Sequence, residues 1–581
     1  MTKKGRKILL VILASIIIIL LALILSLNLI MGKIINNTID NQLELMSEQT
    51  DKYLSVEKVR FNIFSRTISI KNIIIKPDSS LIENLKHGKL DHVSVTDIKI
   101  ASLKLQGFDI YELLIDRNLI LKKIILKGSN FTIYKNENRA EVVEDENASP
   151  PFSVDSIYIE GLNRINLSKV VVDNYTYTIV KVNSNDTVFS FGGSDFEIKG
   201  LALESSENTK GFFRFNNEKL SLKMRQQRID LKNANYFIYL KKLDFSFSDS
   251  IISIDNLKVK PTKDKYKLGA SYKYTKEVFD VEVKSTKIYG YNIGTAIRHG
   301  IFEIDSVLID GLNIDLYKDR TRPFDLEKRP LFIQEQLKHL ELPLHISKIL
   351  ISNSKFTYEM RPEGSKKLLH VNITKINADM GFITSIKDSL QSGKRLRINL
   401  SGQLMGVSSL DLKIIMPYNS AVDTFYFSGT LGSADFAKFN PALYPATGIK
   451  FKGGKLNSMK FYANASPKSA KGLMTMLYDD LEAEIPKKDA KESNKFLSFG
   501  ANAVLRTSNP NKKGKTRIAL IQNDRIEYKG FGNLLWKSVQ SGLVNTILPT
   551  GKSHKEEKKN KNKGNNAPQE NLKKKWWKKE K

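Results

Sequence analysis

Two stretches of the sequence decide its fold class: TISIKNIIIKP at residues 67–77 and IISIDNLKVKP at residues 251–261. In both stretches apolar and polar residues alternate and β-branched side chains predominate, which is typical of a strand with one apolar face. The same pattern recurs in VSVTDIKIASLKL (93–105) and in LRINLSG (396–402). Turn residues separate such segments along most of the chain. We therefore expect a mainly β protein.

The two stretches belong to an internal duplication. When residues 58–77 are placed on residues 242–261, eight of twenty residues are identical. When residues 95–135 are placed on residues 278–318, ten of forty-one are identical. A shorter pattern, strand followed by Gly or Asn followed by strand, recurs with its central residue at Gly128, Gly161, Gly311 and Asn353. Because Gly and Asn tolerate positive φ, this pattern predicts a tight hairpin turn at each position.

Few segments favour a helix. Residues 324–340, 471–481 and 531–548 are the helix candidates, and GGSD at residues 192–195 is predicted to be a turn. The last helix candidate has apolar residues near helical spacing. We expect it either to cap the sheet or to contact a membrane.

The N-terminal segment predicts a membrane anchor. Four basic residues precede an apolar run of 24 residues, 8–31, that contains no charge. As a helix this run spans about 36 Å, enough for a hydrocarbon core of about 30 Å. We expect an uncleaved transmembrane helix with its basic flank in the cytoplasm and the rest of the chain exported. Residues 32–54 are predicted to form a juxtamembrane helix.

The composition of the chain excludes several kinds of active site and metal site. The chain has no cysteine, seven histidines and a net charge of +30. The absence of cysteine excludes thiol catalysis, cysteine-based zinc sites, iron–sulfur clusters and disulfides. No complete phosphate-binding loop and no metal-ligand spacing of histidines occurs, so we expect no enzyme activity, catalytic residue, cofactor or metal site. The charge suggests an anionic partner, with a general lysine-rich composition as the alternative, and the predicted export argues against nucleic acid.

The C-terminal tail is strongly basic. Residues 551–581 contain twelve Lys and four Glu, which predicts a disordered segment. Tryptophans among lysines suit an anionic membrane interface, although a passive solubilising tail is the alternative. The candidate membrane-contact residues are Trp536 and Leu543 on the helix candidate 531–548, and Lys573, Lys574, Lys575, Trp576 and Trp577 in the tail.

These features together resemble the AsmA-like family of bacterial envelope proteins. The resemblance rests on the anchor, on the strand pair VRFNIFSRTISIKNIIIKP (59–77), and on KLQGFDIYELLIDRNLILKKIILKGSNFTIYK (104–135). It continues in FYFSGTLGSADFAKFNPALYPATGIKFKGGKLNSMKFYANAS (425–466) and in KGLMTMLYDDLEAEIP (471–486). The family is similar to bridge-like lipid transfer proteins, whose strands form one long curved sheet with an apolar concave face.

The resemblance implies a fold and a role. The expected fold is a mainly β, long, strongly curved, repetitive antiparallel sheet that forms an apolar groove. It has few short helices and is preceded by one transmembrane helix. The expected role is the transfer of phospholipid between inner and outer membrane, without a cofactor. The candidate groove-lining residues are Ile68, Ile70, Leu103, Leu105, Ile252 and Ile254.

The implied location is the bacterial inner membrane, with a single pass, a cytoplasmic N-terminus and the bulk of the chain in the periplasm. The expected partners are phospholipids and the inner membrane, with the outer membrane or an envelope protein at the C-terminal end. Two alternatives stay open at this point. The apolar faces could pack on each other as closed sandwiches, and the protein could be a structural factor that assists outer-membrane protein assembly without carrying lipid.

The sequence divides as follows. We predict a cytoplasmic stub (1–7), the transmembrane helix (8–31), the juxtamembrane helix (32–54), a first β repeat (55–240), a second β repeat (241–342), a C-terminal β module (343–490), terminal strands with an amphipathic helix (491–548) and a Lys-rich tail (549–581).

Overall fold

The computed structural model describes residues 52–554 except 63, 91–93, 110, 113–114, 137–162, 207–208, 217–219, 293–294, 297–299, 366, 421, 485–504 and 550. The predicted transmembrane helix, most of the juxtamembrane helix and the Lys-rich tail beyond residue 554 lie outside the described residues. Among the residues that are described, none of the helices combines the length and the apolar character needed to cross a bilayer.

The chain divides into two compact units. The first comprises residues up to 262 together with 285–300, and the second comprises 263–284 together with the residues from 301 onward. Each unit consists mainly of strands, as the alternation of apolar and polar residues predicts.

The described elements of the first unit include the α-helix α1 (Ser79–Lys86), a short 3-10 helix (Lys232–Ala234) and eleven strands. The strands are β1 (Lys52–Asn62), β2 (Thr67–Pro77), β3 (Ser94–Gln106), β4 (Asn118–Leu121), β5 (Lys123–Lys135), β6 (Arg164–Lys181), β7 (Thr187–Ser206), β8 (Thr209–Asn216), β9 (Ser221–Leu231), β10 (Tyr236–Ser246) and β11 (Ile251–Pro261). Strand β12 (Glu277–Tyr289) crosses the boundary between the units.

The strands of the second unit are β13 (Phe302–Asp319), β14 (Leu344–Arg361), β15 (Leu369–Thr384), β16 (Arg395–Leu404), β17 (Ser408–Pro417), β18 (Phe425–Leu431), β19 (Ala434–Asp435), β20 (Lys450–Ala465), β21 (Ser469–Glu484) and β22 (Ala519–Asp524). Its α-helices are α2 (Lys265–Ser271), α3 (Ile333–Lys338), α4 (Lys387–Gln391), α5 (Asn440–Thr447) and α6 (Phe531–Ile547).

Nine strands of the first unit pair in one continuous run, in the order β1-β2-β3-β5-β6-β7-β9-β10-β11. Strand β4 lies beside β6 and β8 lies beside β7. All these pairs are antiparallel except β4–β6 and β5–β6, which are parallel. A long connection between β5 and β6 makes the parallel arrangement possible, since a two-residue hairpin joins only antiparallel strands.

The second unit contains a similar run, in the order β13-β14-β15-β16-β17-β18-β20-β21-β22. Here β13 and β14 are parallel and the other pairs of the run are antiparallel. No described pairing joins the first strand of either run to its last, so neither run closes on itself. The expectation of a mainly β protein with few short helices is confirmed, whereas the expected antiparallel sheet is in fact mixed.

The positions of the strands agree with the duplication. Strands β1 and β2 recur as β10 and β11 at an offset of 184 residues, and β3 recurs as β12 at an offset of 183. Even a backbone irregularity recurs, since Asn72 in β2 and Asn256 in β11 have φ of 48° and 50°. The repeated unit is therefore a group of strands with its own local distortions.

The central residues of the short repeat are not hairpin turns, and that prediction was wrong. Gly128, Gly311 and Asn353 have φ of 61°, 67° and 50°, yet each lies in the interior of one long strand. In the β5–β6 pair the register passes from Lys127/Asp173 to Ser129/Tyr175 and leaves the intervening residues unpaired. Each position is an irregularity within a continuous strand, where a residue with positive φ locally interrupts the pairing and the strand does not reverse. On either side of Gly128 the register of both pairings of β5 is unchanged, so no extra residue is inserted there. Gly161 lies outside the described residues.

Several predicted helices and turns also differ. Residues 471–481 belong to β21, GGSD (192–195) lies within β7, and residues 52–54 begin β1. Within 324–340 only Ile333–Lys338 forms an α-helix. The candidate at 531–548 is confirmed as α6, which covers Phe531–Ile547.

Candidate functional site

The six predicted groove residues lie in two adjacent rows that cross the whole run of nine strands in the first unit. The first apolar row contains Phe61, Ile68, Leu105, Ile124, Val170, Ile198, Leu222, Phe245 and Ile252, each the cross-strand partner of the next. The second apolar row contains Val59, Ile70, Leu103, Leu126, Val172, Phe196, Met224, Leu243 and Ile254. Every member of both rows is apolar.

The two rows share one face of the sheet. On each strand their members are two residues apart, as Ile68 and Ile70 are on β2, and side chains at that spacing point to the same side. Of the eighteen side chains only Phe61 is buried, and the others are partly exposed. The described residues thus leave this face, here called the apolar face, incompletely covered.

The opposite face of the same strands is charged. Here Lys169 and Glu197 form an ion pair at 2.6 Å, Arg225 and Asp244 form one at 2.7 Å, and Lys242 lies 2.8 Å from Asp244. Burial opposes ionisation of Asp244, but hydrogen bonds from Lys242 and Arg225 outweigh it and lower the pKa of this carboxyl. The sheet of the first unit is therefore amphipathic, with hydrocarbon on one side and ion pairs on the other.

A polar group interrupts the apolar face beyond the irregularity at Asn174. The Tyr175 ring lies edge-on to Phe196 of the second apolar row, with centroids 6.0 Å apart, so Tyr175 lies on the same side. Its hydroxyl donates to Oε1 of Gln227, which is 1% exposed. The Gln227 amide donates in turn to the Asp195 and Arg225 carbonyls at 3.1 and 2.6 Å, and burial raises the pKa of Tyr175 to about 12.

Nothing in the sequence marked these residues in advance. They lie in residues 136–240, where no motif is recognisable, and Gln227 faces Gly193 only because of the register of β7 against β9. A Cβ at position 193 would lie 2.3 Å from the Gln227 amide, so glycine is needed there for a packing reason. A side-chain amide that satisfies carbonyls at a strand irregularity is a structural device.

In the second unit, the apolar side of the sheet is buried in a hydrophobic core. Its sheet carries a large core in which Phe427, Phe461 and Met474 are almost fully buried. Helix α6 covers part of this face, with Gly542 directly above Met474 and Ile521. The capping role predicted for this helix is therefore observed, and the two units use their apolar faces differently.

The predicted membrane-contact residues separate in the structure. Leu543 packs against the core of the second unit, whereas the Trp536 side chain on the same helix is 46% exposed. Lys573, Lys574, Lys575, Trp576 and Trp577 lie outside the described residues. Of this predicted set, only Trp536 is shown to be accessible.

The second unit also contains an open cavity of about 900 Å³, whose lining surface is mostly apolar. Side chains of Asn399, Lys413, Tyr426, Tyr462 and Leu473 contribute to its lining. These residues alternate along their strands with members of the buried core, so the cavity and the core lie on opposite faces.

Among the residues that the structure describes, no group of three or more His, Asp or Glu side chains is arranged to hold a metal ion. Compared with known proteins, the chain matches no family model and no curated protein. Membership of the AsmA-like family therefore stays a prediction from the segments quoted above.

Proposed function

We propose that the apolar face of the first unit holds the acyl chains of phospholipids and lets them move along the sheet. The protein would be a single-pass bacterial inner-membrane protein of the AsmA-like family, anchored by the predicted helix at 8–31. Its sheet would be strongly curved around the apolar face and would carry phospholipid across the periplasm between inner and outer membrane. No step of this mechanism requires a cofactor.

The observation that carries the proposal is the continuity of the two apolar rows. Nine strands separated by about 4.8 Å give the rows a length of about 38 Å, and no polar side chain interrupts either of them. The hydrocarbon core of a whole bilayer is about 30 Å thick. A lipid chain bound along the rows would therefore meet hydrocarbon over its entire length.

The chemistry of the rows favours acyl chains as occupant. Their members carry no hydrogen-bond donor or acceptor on the side chain, so they recognise a ligand only by removing apolar surface from water. Such contact has no preferred position along a row, which suits a ligand that slides. The ion pairs on the opposite face keep that side of the sheet in water and orient the binding side.

A crosslinking pair of neighbouring residues tests the proposal. A photoreactive amino acid is introduced at Leu103 of the second apolar row, or at Lys104 on the opposite face, in the full chain. After irradiation in cells, lipid attached to the purified protein is identified by mass spectrometry. We expect phospholipid adducts from Leu103 and a signal at least about tenfold lower from Lys104, since adjacent residues of a strand point to opposite faces.

The alternative, a structural protein that assists outer-membrane protein assembly, predicts a different result. In that case Leu103 crosslinks to protein or to nothing, and organic extraction of the purified chain yields no more phospholipid than a control membrane protein. Equal lipid labelling from Leu103 and Lys104 would also contradict the proposal, because contact with a bilayer surface would then explain it.

A further inference from the structure

A group of cations in the second unit gathers around aromatic rings instead of carboxylates. The Lys529 ammonium lies 4.3 Å from the centroid of the Phe324 ring and 5.6 Å from that of Tyr528. The Arg320 guanidinium carbon lies 5.5 Å from the same Phe324 centroid. Two positive charges therefore share one aromatic ring.

The chain brings these residues together from two separated loops. Arg320 follows directly after β13, and Phe324 comes four residues later. Tyr528 and Lys529 lie in the turn between β22 and α6, and the Phe324 and Tyr528 rings are 5.5 Å apart. The contact thus depends on tertiary packing, and no local sequence motif predicts it.

Two of these cations, Arg320 and Lys529, have no carboxylate partner among the described residues. Neither Arg320 nor Lys529 forms an ion pair with a carboxylate in the parts of the chain that the structure describes, and Nε of Arg320 is buried there without a hydrogen-bond partner. Lys537, on the first turns of α6, adds a third positive charge, and its ammonium donates to Gln540 at 2.8 Å. Lys318 adds a fourth charge but pairs with Glu277.

The electrostatics around Lys529 agree with this geometry. Burial lowers the pKa of its ammonium to about 8, and the positive charges of Arg320 and Lys537 act in the same direction. Cation–π contact offsets only part of the cost of a half-buried charge. A bound anion would remove the remaining repulsion.

We propose that Arg320 and Lys529 form a binding site for a phosphate group. The planar guanidinium matches two phosphate oxygens, and a lysine ammonium supplies a further charge-assisted hydrogen bond. The Phe324 and Tyr528 rings form an apolar wall beside the anion, which suits a phosphate ester with an organic part. The site lies wholly in the second unit, so it stands whether or not the apolar face of the first unit binds acyl chains.

The test measures phosphate binding to the full-length protein in detergent by calorimetry at pH 7. Inorganic phosphate is the first probe, and dihexanoyl phosphatidylglycerol is the second. The variants are Lys529→Met, Arg320→Gln and, as a matched control, Lys273→Met. Lys273 is an exposed lysine whose ammonium also lies over an aromatic ring, 5.0 Å from that of Tyr274.

We expect wild type and Lys273→Met to bind phosphate equally. Lys529→Met and Arg320→Gln should each weaken binding by about tenfold or more, as loss of a charge-assisted hydrogen bond requires. Without phosphate, Lys529→Met should be at least as heat-stable as wild type, because it removes an unbalanced charge. With phosphate, only wild type and the control should gain stability.

The two probes distinguish the sources of the anion. Tighter binding of the lipid than of inorganic phosphate, with both dependent on Lys529, identifies a phospholipid headgroup as the ligand. Equal or tighter binding of inorganic phosphate identifies a free phosphate site. The proposal is overturned if wild type binds neither probe, or if the Lys529→Met protein binds them as wild type does. Lipid crosslinking at Leu103 is scored separately and does not depend on this result.

Discussion

Ile70 of β2 and Leu103 of β3 are direct cross-strand partners, and both lie in the second apolar row of the first unit. On the other side of the sheet, Ser102 lies between two lysines, opposite Lys71 of β2 and Lys127 of β5. One residue of displacement along β3 thus separates a hydrocarbon surface from a charged one. This contrast provides matched variants for testing the proposed function.

A charge in the apolar row should abolish lipid binding. Leu103→Asp is expected to reduce phospholipid that copurifies with the full chain by tenfold or more, at a stability cost of about 1–2 kcal/mol for a partly exposed leucine. Ser102→Asp should leave lipid content unchanged, because its carboxylate lies between two lysines. Lipid content is measured by extraction and mass spectrometry, and folding by thermal unfolding. Equal lipid content in the two variants would argue against the apolar face as the binding surface.

Helix α6 should be sensitive to bulk at one glycine and insensitive at another. A Cβ at Gly542 would lie 2.8 Å from Cε of Met474 and 3.1 Å from Cγ1 of Ile521, whereas Gly532 is exposed with no neighbour within 4 Å. Gly542→Val should therefore reduce the free energy of unfolding by about 1–3 kcal/mol through overpacking. Gly532→Val should change it by less than about 0.5 kcal/mol. Urea denaturation measures both, and similar values would show that α6 does not cap the sheet as described.

In the second unit, substitutions of the ion-paired residues Lys265 and Glu359 should have coupled effects on stability. Nζ of Lys265 lies 2.7 Å from Glu359 and 2.9 Å from Asp315, and the Lys265 and Glu359 side chains are each only 18% exposed. Lys265→Met leaves Glu359 buried without its cation and should destabilise the protein by about 3 kcal/mol.

The double variant Lys265→Met/Glu359→Gln should recover much of that loss, because no uncompensated charge then remains. Urea unfolding of both single variants and of the double variant completes the cycle. Simple additivity of the two single effects would show that Lys265 and Glu359 are not coupled.

Stability should rise with pH in the range set by Lys529. Its pKa is about 8 in the folded protein against an ordinary value of 10.5, so the unfolded chain binds more protons between these limits. The free energy of unfolding should therefore increase from about pH 8 to about pH 10.5, and the penalty of the buried charge is fully present below pH 8. The charged groups that face Lys529 and lower its pKa together with burial are Arg320, Lys537 and Lys318.

Urea unfolding of wild type, Lys529→Met and the control Lys273→Met between pH 7 and pH 10 measures this effect. Other titrating groups contribute equally to all three proteins, so the difference isolates Lys529. Lys529→Met should lack the increase that wild type and the control show. Parallel curves for the three proteins would contradict the assigned shift.

Much of the fold can be predicted from the two-residue alternation of apolar and polar side chains. Alternation in 67–77 and 251–261 correctly predicted β2 and β11, and the six residues chosen from three such strands lie in the same two apolar rows. Turn chemistry alone failed at Gly128 and Gly311, because a residue with positive φ there interrupts the pairing within a strand that does not reverse. Segment 471–481 was wrongly predicted to be a helix, because Leu473 and Leu477 on the face opposite the core are apolar as well and obscure the two-residue alternation.

Other features depend on contacts between distant residues. The pairing of Tyr175 with Gln227 follows from the register of β6, β7 and β9. The cluster of Arg320 and Lys529 joins residues more than two hundred positions apart through Phe324. Neither spacing nor composition predicts such contacts, since strand register sets the first and loop packing sets the second.

By itself the sequence determined that the chain forms strands with one apolar face, that those strands are duplicated, and which side chains form the apolar surface. These are local properties, because a side chain's face follows from its place in a two-residue period. The tertiary structure alone decided that the described residues leave the apolar face of the first unit partly open, whereas α6 covers part of the apolar side of the sheet in the second unit. Whether an apolar surface becomes a core or a binding face depends on what packs against it, and that is set by contacts between segments far apart in the chain.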